Sequence, residues 1–257
     1  MQPNLHRPLF LILILAPALG LALTAWAGSS ASPVETHGSL RAMMHEGAIG
    51  AAVSLNSLLP DPQVCAVGAL AELAGEITVL GGQAYLAYPA AGEPRVEVTG
   101  QSEAGAALLV SSRVTEWQSL TLEEPIPFES LGAEIRRLAS GAGFDVEGPF
   151  PFLVEGALED LEWHVIDGSQ LPEGPSSHQA HRSAGVRSSL ARADGTLVGF
   201  YSTEHQGVFT HMGSTTHVHC VLEDPVASGH VDHVTLPAGA RLRLPAPQSP
   251  SQASASD

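Results

Sequence analysis

The chain has 257 residues, a formal net charge of −16 and only 11 lysines and arginines. This charge makes nucleic acid and anionic membrane surfaces poor partners, because both attract proteins mainly through clustered basic side chains. The length allows one large domain or two small, closely packed ones.

The N-terminus has the features of a secretion signal. A weakly basic start precedes an apolar stretch, and Ala25-Trp26-Ala27 supplies the small-x-small pattern of a cleavage site. We therefore predict a signal peptide at 1–27, export to the periplasm or the medium, and no stable membrane insertion after cleavage. The alternative is a retained N-terminal membrane anchor, since residues 8–26 approach the length that spans a bilayer.

The mature chain is predicted to be α+β and mostly β, with twisted mixed or antiparallel sheets and a few helices. Residues 28–36 are predicted to be a flexible lead, 37–244 one domain and 245–257 a disordered tail. Apolar patterns and glycines predict one or two helices within 37–59, a helix at 130–140, and a long loop at 168–185. Strands are predicted at 66–73, 76–80, 83–87, 95–99, 107–110, 150–154, 162–166, 195–201, 207–211, 217–222 and 230–236.

Three histidines near the C-terminus indicate a metal site. His217 and His219 are two residues apart, so in a strand both imidazoles project from the same face. His230 follows eleven residues later and can return on a neighbouring strand after the turn predicted at 224–229. Three neutral imidazoles with an open fourth position are typical of a catalytic zinc site.

Two observations bear on this interpretation of the histidines. A His-x-His pair also occurs by chance on solvent-facing strands, but nine of the twelve histidines lie at or beyond His164, which favours a site. Cys220 is adjacent to His219, so its side chain is expected on the opposite face and not among the ligands. A disulfide between Cys65 and Cys220 is left open, because the sequence does not show how close their Cα atoms are.

Several segments together resemble bacterial α-acetolactate decarboxylase. Residues 67–87 (VGALAELAGEITVLGGQAYLA) are similar to the family's N-terminal segment, which contains a glycine-glutamate pair. Residues 195–234 contain a GTLVGF strand followed by the His-x-His pair and the third histidine, and 163–168 (WHVIDG) resembles the family's Ile-Asp-Gly turn. The recognisable blocks cover some 65 residues of the chain.

The resemblance implies a zinc-dependent enzyme that converts 2-acetolactate, or a similar 2-hydroxy-3-keto acid, to acetoin. Loss of CO2 from such an acid leaves electrons that flow into the ketone oxygen, and zinc stabilises the resulting enediolate as a Lewis acid. A proton donor then completes the reaction. The resemblance also implies zinc ligands at His217, His219 and His230, a nearby carboxylate at Glu76, and a homodimer.

This chain departs from the family at two positions that bear on the reaction. The family has an arginine, suited to holding a carboxylate, where this chain has Ser176. Nearby basic candidates for this role are His178, His181 and Arg182. The family also has a glutamate in a C-terminal extension, which this chain lacks. The acid–base candidates that could replace it are Glu204, His205 and, as a proton relay near the metal, His211.

Two alternative functions remain open from the sequence. His217, His219 and Glu223 form H-x-H-x-x-x-E, which would suit a cupin-like iron or manganese enzyme. However, the cupin motif's glycine is not at its usual place before the His-x-His pair, and His230 comes too early for the cupin's second motif. The other alternative is a non-catalytic exported metal-binding domain on the same fold. Metal identity and turnover would separate these three readings.

Overall fold

The computed structural model describes residues 33–172, 174 and 178–247, and only the backbone of His178, Gln179 and Arg182. The predicted signal peptide, Ser176 and most of the predicted tail therefore lie outside the described residues. Strand β1 begins at Glu35, within the segment expected as a lead. The described residues contain no helix that is both long and apolar enough to cross a membrane.

The first sheet is formed by the N-terminal part of the described chain. In space its strands follow the order β1-β7-β3-β4-β5-β6, and β2 also pairs with β7. The central strand β3 is buried along its whole length, as its run of small and apolar residues predicts. The strands of this sheet are β1 (Glu35–His37), β2 (Val53–Ser54), β3 (Val64–Leu70), β4 (Glu76–Leu80), β5 (Gln83–Tyr88), β6 (Arg95–Thr99) and β7 (Gly105–Arg113).

The second sheet contains a closed ring of four strands. Strand β10 pairs with β11 on one edge and β13 on the other, and β12 pairs with β11 and β13. Strands β8, β9 and β14 extend this sheet. Its strands are β8 (Trp117–Thr121), β9 (Ile126–Pro127), β10 (Phe150–Ile166), β11 (Gly185–Tyr201), β12 (Thr216–Glu223), β13 (Val226–Leu236) and β14 (Arg241–Pro245).

Alternating side chains of the ring strands divide between two cores. Residues such as Leu197, Cys220 and Val231 belong to the core inside the ring. Their neighbours Val198 and Val221 face the first sheet and share a core with its buried residues. The ring therefore packs its outer face against the first sheet, and the side chains on that face meet residues of β3 and β4.

The helices are short. They are α1 (Leu40–Glu46), α2 (Leu131–Gly141) and α3 (His178–Ser183). Helix α2 agrees with the prediction for 130–140 and buries Leu131, Ile135 and Ala139, which are spaced by four residues. Helix α1 begins where the Ser39 side chain accepts a hydrogen bond from Ala42 N–H, and it ends at Gly47 with φ 67°.

The α+β, mostly β prediction is confirmed, and every ladder among the described strands is antiparallel. The region 37–59, predicted to form one or two helices, contains one α-helix, Leu40–Glu46, while Val53 and Ser54 pair with β7. Two local predictions are wrong. The segment 168–185 is not a continuous loop, because it contains α3. Residues 207–211 are not a strand but part of a turn in which the His205 carbonyl accepts hydrogen bonds from the N–H groups of 208–210.

Candidate metal centre

A row of histidines crosses three neighbouring strands of the ring. His219 on β12 lies directly opposite His230 on β13, and His230 lies directly opposite His164 on β10. Directly opposed residues of antiparallel strands share a face, and His217 shares it because it precedes His219 by two. The structure therefore places four imidazoles on the ring's outer face, toward the first sheet.

Gly229, immediately before His230, allows β13 to approach β10 closely. A Cβ atom at this position would lie 2.6 Å from the carbonyl oxygen of His164. Because that contact is too short for any side chain, the local pairing that places His230 beside His164 requires glycine here.

The three histidines predicted as ligands form a tight cluster. Ring centroids are 5.0 Å apart for His217 and His219, 5.2 Å for His217 and His230, and 5.6 Å for His219 and His230. The Nε2 atoms of His217 and His219 are 3.2 Å apart. Two nitrogens bound to one tetrahedral zinc are separated by roughly 3.3 Å, given Zn–N bonds of about 2.0–2.1 Å.

Contacts from the first sheet orient this cluster. Thr78 Oγ1 on β4 lies 3.1 Å from His219 Nδ1 and 2.9 Å from Ser228 Oγ. In the tautomer that donates from Nδ1 to Thr78, His219 keeps the lone pair on Nε2, the atom that faces His217. Thr78 and His219 are both fully buried, so this contact fixes the ring.

Glu76 supplies a carboxylate beside the imidazoles. It begins β4 and is only 5% exposed. Its Oε1 accepts a hydrogen bond of 3.3 Å from the backbone N–H of Ile166, and its Oε2 lies 3.8 Å from His219 Nε2. The structure thus brings together Glu76 from the first sheet and the histidines from the second.

Burial sets the protonation states of these groups. It lowers the pKa of His217 to about 3, with further lowering by His211 and His164, and it lowers the pKa values of His219 and His230 well below the ordinary value. All three rings are therefore neutral at pH 7, which is the form that binds metals. Burial also raises the pKa of Glu76 to about 7, although His164 and the Ile166 N–H act in the opposite direction.

The donor set and its unpaired atoms fit a metal ion. The buried Nδ1 atoms of His217 and His230 have no hydrogen-bond partner among the described residues. His164, His230 and Asp232 each present one ligand atom, and these three atoms lie within 4.8 Å of one another. Neutral imidazoles with carboxylates are suitable ligands for zinc and for other divalent transition metals.

The cluster borders a cavity of about 320 Å³. The polar residues that line this cavity include Glu76, His164, His217, His230 and Asp232. The rest of the wall is mainly apolar and comes from α1, β3, β7 and the loop after β11, with lining residues Leu40, Met43, Ala69, Leu73, Leu108 and Met212. An apolar cavity with a few convergent polar groups is typical of a small-molecule site.

The metal-free protein is expected to lose stability as the pH falls below about 6.5. The unfolded chain takes up three protons at His217, His219 and His230 that the buried, neutral rings do not bind. Glu76 acts in the opposite sense between about pH 4.5 and 7, because its folded form retains a proton that the unfolded form has lost. Since the three histidines outweigh the one carboxyl, stability rises with pH by about 2–3 kcal/mol per unit near pH 5.5.

Urea unfolding of the chelator-treated protein between pH 5 and 7.5 measures this slope. A free energy of unfolding that stays constant over this range, or falls with rising pH, would contradict the burial of three neutral imidazoles.

Comparison with known proteins identifies the family. A sequence model described as alpha-acetolactate decarboxylase matches residues 36–247. The chain belongs to the alpha-acetolactate decarboxylase family. No curated protein sequence matches the chain at a significant level.

Three solved structures similar to this protein have the same fold. The alpha-acetolactate decarboxylase of Bacillus subtilis strain 168 has a TM-score of 0.65 and 16% sequence identity, covering 84% of this chain and 86% of that one. The acetolactate decarboxylase of Bacillus subtilis subspecies spizizenii gives 0.64 and 16%, covering 83% and 86%. A Staphylococcus aureus protein of unknown function, similar to alpha-acetolactate decarboxylase, gives 0.62 and 17%, covering 82% and 84%.

The other residues that the sequence suggested for the site of this acetolactate decarboxylase family member differ in their distance from the cavity. His211 lines the cavity, and its ring centroid lies 5.5 Å from that of His230. His181 also lines the cavity, whereas the side chains of His178 and Arg182 lie outside the described part of the chain. Glu223 of the cupin-like alternative is exposed at the end of β12. No observation in the described residues favours that alternative.

The two cysteines are free and buried in different cores. Cys65 belongs to the core between the sheets, and Cys220 points into the ring, away from the histidines as predicted. Burial raises the pKa of each thiol to about 12, so neither is a reactive thiolate near neutral pH.

Sequence reasoning missed three polar residues beside the cluster. His164 Nδ1 lies 2.9 Å from Asp232 Oδ2, and Asp232 also forms an ion pair with Arg187. His164 and Arg187 are directly opposed on β10 and β11. The only local sequence signal was that Asp232 follows His230 by two residues and therefore shares its face.

Proposed function

We propose that this protein catalyses metal-dependent decarboxylation of 2-acetolactate, or of a similar 2-hydroxy-3-keto acid, to acetoin and CO2. The observation that carries the proposal is the convergence of His217, His219, His230 and Glu76 beside a cavity, in a chain of the acetolactate decarboxylase family. Membership of that family supports the reaction class, and the donor set supports its dependence on a metal.

His217, His219 and His230 would hold the metal, which we propose to be zinc. A bound zinc ion supplies Lewis-acid stabilisation of the negative charge that CO2 loss leaves on the substrate's oxygen atoms. Thr78 holds the His219 ring by its contact with Nδ1, so little reorganisation of that ring is needed. Apolar side chains such as Leu40, Met43 and Leu108 line the cavity, and surroundings of low polarity strengthen the electrostatic interactions of the polar groups.

Glu76 is the best-placed proton carrier. Its carboxyl accepts a hydrogen bond from the Ile166 N–H and lies 3.8 Å from His219 Nε2, so it is held where it can carry a proton to a substrate bound at the metal. In the proposed reaction it delivers a proton to the carbon from which CO2 has departed. His211, whose ring centroid lies 5.5 Å from that of His230, is proposed to relay protons to the site.

Helix α3 is proposed to provide the group that binds the substrate carboxylate. His181 on this helix lines the cavity, so the helix lies at its wall. Arg182 and His178 belong to the same helix and are our candidates for this contact. Arginine is the stronger candidate because its guanidinium can make two parallel hydrogen bonds to a carboxylate.

We also propose that the protein is exported through a signal peptide at 1–27, with the catalytic domain at 37–244, and that it forms a homodimer. The signal peptide follows from the apolar stretch and the small-x-small pattern, and the homodimer from the family resemblance.

Incubation of the metal-loaded full chain with racemic 2-acetolactate tests the proposal. We expect acetoin and CO2 in a one-to-one ratio, formed well above the spontaneous rate. 2-Hydroxyisobutyrate is the matched control, because it has the carboxylate and the hydroxyl but no ketone to accept the electrons, and it should not react. A metal-loaded protein that leaves acetolactate at its spontaneous rate would support the non-catalytic alternative.

A further inference from the structure

A row of three side chains on the first sheet lines the cavity beside the histidines. Glu76 on β4 lies directly opposite Ala69 on β3, and Ala69 lies directly opposite Leu108 on β7. Directly opposed residues of antiparallel strands share a face, and all three residues line the cavity. The row therefore leads from the proposed proton carrier, past a single methyl group, to a leucine side chain.

Ala69 leaves space between Glu76 and Leu108. Neighbouring strands are about 4.8 Å apart, so Leu108 stands about 10 Å from Glu76 along the sheet, with only the Ala69 methyl group between them. Met43 and Leu73 also line the cavity. These two residues, Ala69 and Leu108 are buried and belong to the core between the two sheets. The cavity therefore extends from Glu76 and the histidines into an apolar region of that core.

The cavity is larger than 2-acetolactate. A dry cavity of about 150 Å³ accommodates benzene, which has six non-hydrogen atoms, so each such atom needs about 25 Å³. The nine non-hydrogen atoms of 2-acetolactate then need about 225 Å³. The cavity of about 320 Å³ therefore has room for the metal ion and about three more carbon atoms. Because the buried lining around Ala69 is apolar, an alkyl chain suits this space better than a polar group.

We propose that Ala69 determines the size of the substrate, and that the preferred substrate is a 2-hydroxy-3-keto acid whose C2 carries an alkyl chain of three or four carbons in place of the methyl group of acetolactate. The chain lies over Ala69, against Leu108 and Met43. This assignment rests on the proposed function, which holds the reacting end of the substrate beside Glu76.

The reaction itself is unchanged by the longer chain. The bond from C2 to the carboxylate breaks, CO2 leaves, and its electron pair flows toward the ketone oxygen. A proton then forms a C–H bond at C2. A substrate with a butyl chain gives 3-hydroxyheptan-2-one and CO2 in a one-to-one ratio.

Kinetics of the zinc-loaded full chain with methyl, ethyl, propyl, butyl and hexyl substituents at C2 tests the proposal. Burial of each added methylene should raise kcat/KM about fourfold or more, so the propyl substrate should exceed acetolactate by at least about 15-fold. The hexyl chain exceeds the available space and should lose this gain. Equal kcat/KM for all chain lengths, or a fall from methyl onward, would overturn the proposal.

Ala69→Leu assigns the preference to this residue. Leucine adds three carbon atoms over the same strand, so the ratio of kcat/KM for the butyl substrate to that for acetolactate should fall by at least about tenfold. Ala69→Val, whose branched side chain suits a strand, should lower the ratio less and serves as the second variant if leucine prevents folding. Ala133→Leu makes the same exchange at an exposed position of α2 and should keep the wild-type ratio. An unchanged ratio in folded Ala69→Leu would overturn the role of Ala69.

Binding of two unreactive acids separates this proposal from the proposed function. 2-Hydroxy-2-methylhexanoate differs from 2-hydroxyisobutyrate by three methylenes, and calorimetry should show that wild type binds it at least about tenfold more tightly, but Ala69→Leu does not. Tighter binding of the longer acid without turnover of any keto acid would contradict the proposed function and still support the role of Ala69. Turnover of acetolactate without any effect of chain length would do the reverse, and failure of both would contradict both.

Discussion

Replacing His219 by alanine is expected to release the metal and to lower decarboxylase activity by at least about 100-fold. His219 is fully buried, and its Nε2 lies 3.2 Å from His217 Nε2 and 3.8 Å from Glu76 Oε2. Even residues that merely orient metal ligands change metal affinity by about 10–100-fold, so loss of a ligand should exceed that range. Metal content and acetoin formation measured on the same sample test the expectation.

Two comparisons make this result specific. His45→Ala removes an exposed imidazole from the end of α1 and should leave metal content and activity unchanged. His219→Ala also leaves Thr78 without its ring partner, so far-ultraviolet circular dichroism should be compared with that of the metal-free wild type. Retention of one metal per chain and normal turnover in a folded His219→Ala would remove His219 from the proposed site.

Replacing Glu76 by glutamine is expected to lower kcat by about 10²–10⁴-fold, the range that a positioned proton carrier contributes. The amide oxygen of glutamine can still accept the hydrogen bond from the Ile166 N–H, so the fold should be retained. The lost property is the ionisable carboxyl beside His219 Nε2, which an amide cannot replace as a proton carrier. Steady-state kinetics across pH 5.5–8.5 should show the loss mainly in kcat.

Glu72→Gln is the matched control for this variant. Glu72 lies in the turn just before Glu76 but is exposed. Its replacement removes an exposed carboxylate four residues away and should leave kcat within about a factor of two. Equal losses in the two variants would indicate a general effect of charge rather than a role for the Glu76 carboxyl.

Much of the fold follows from local sequence patterns. Strands β4 and β6 occupy exactly the residues predicted from apolar segments bounded by glycine or proline, and α2 follows from residues spaced by three and four. The segment at 207–211 has a strand-like composition, but hydrogen bonds to the His205 carbonyl hold it in a turn. Short apolar segments of this kind take the structure that nearby hydrogen bonds favour, which local pattern does not reveal.

The site shows a similar division between local and long-range information. That His217 and His219 share one face follows from the two-residue period of a strand. That His230 lies beside them follows from the single hairpin between β12 and β13. Glu76 was identified only through the family resemblance. The position of His164 beside His230 depends on the pairing of β10 with β13, two strands whose paired residues are more than 60 positions apart in the sequence. Neither strand periodicity nor motif spacing predicts that pairing.

Zinc titration of the metal-free full chain, with CO2 release from racemic acetolactate followed at each addition, tests the central claim most directly. If His217, His219 and His230 hold a metal that the reaction requires, the rate should rise in proportion to added zinc and reach a plateau at one equivalent per chain. Full activity in the chelator-treated protein, or no activity above the spontaneous rate at saturating zinc, would contradict a metal-dependent decarboxylase.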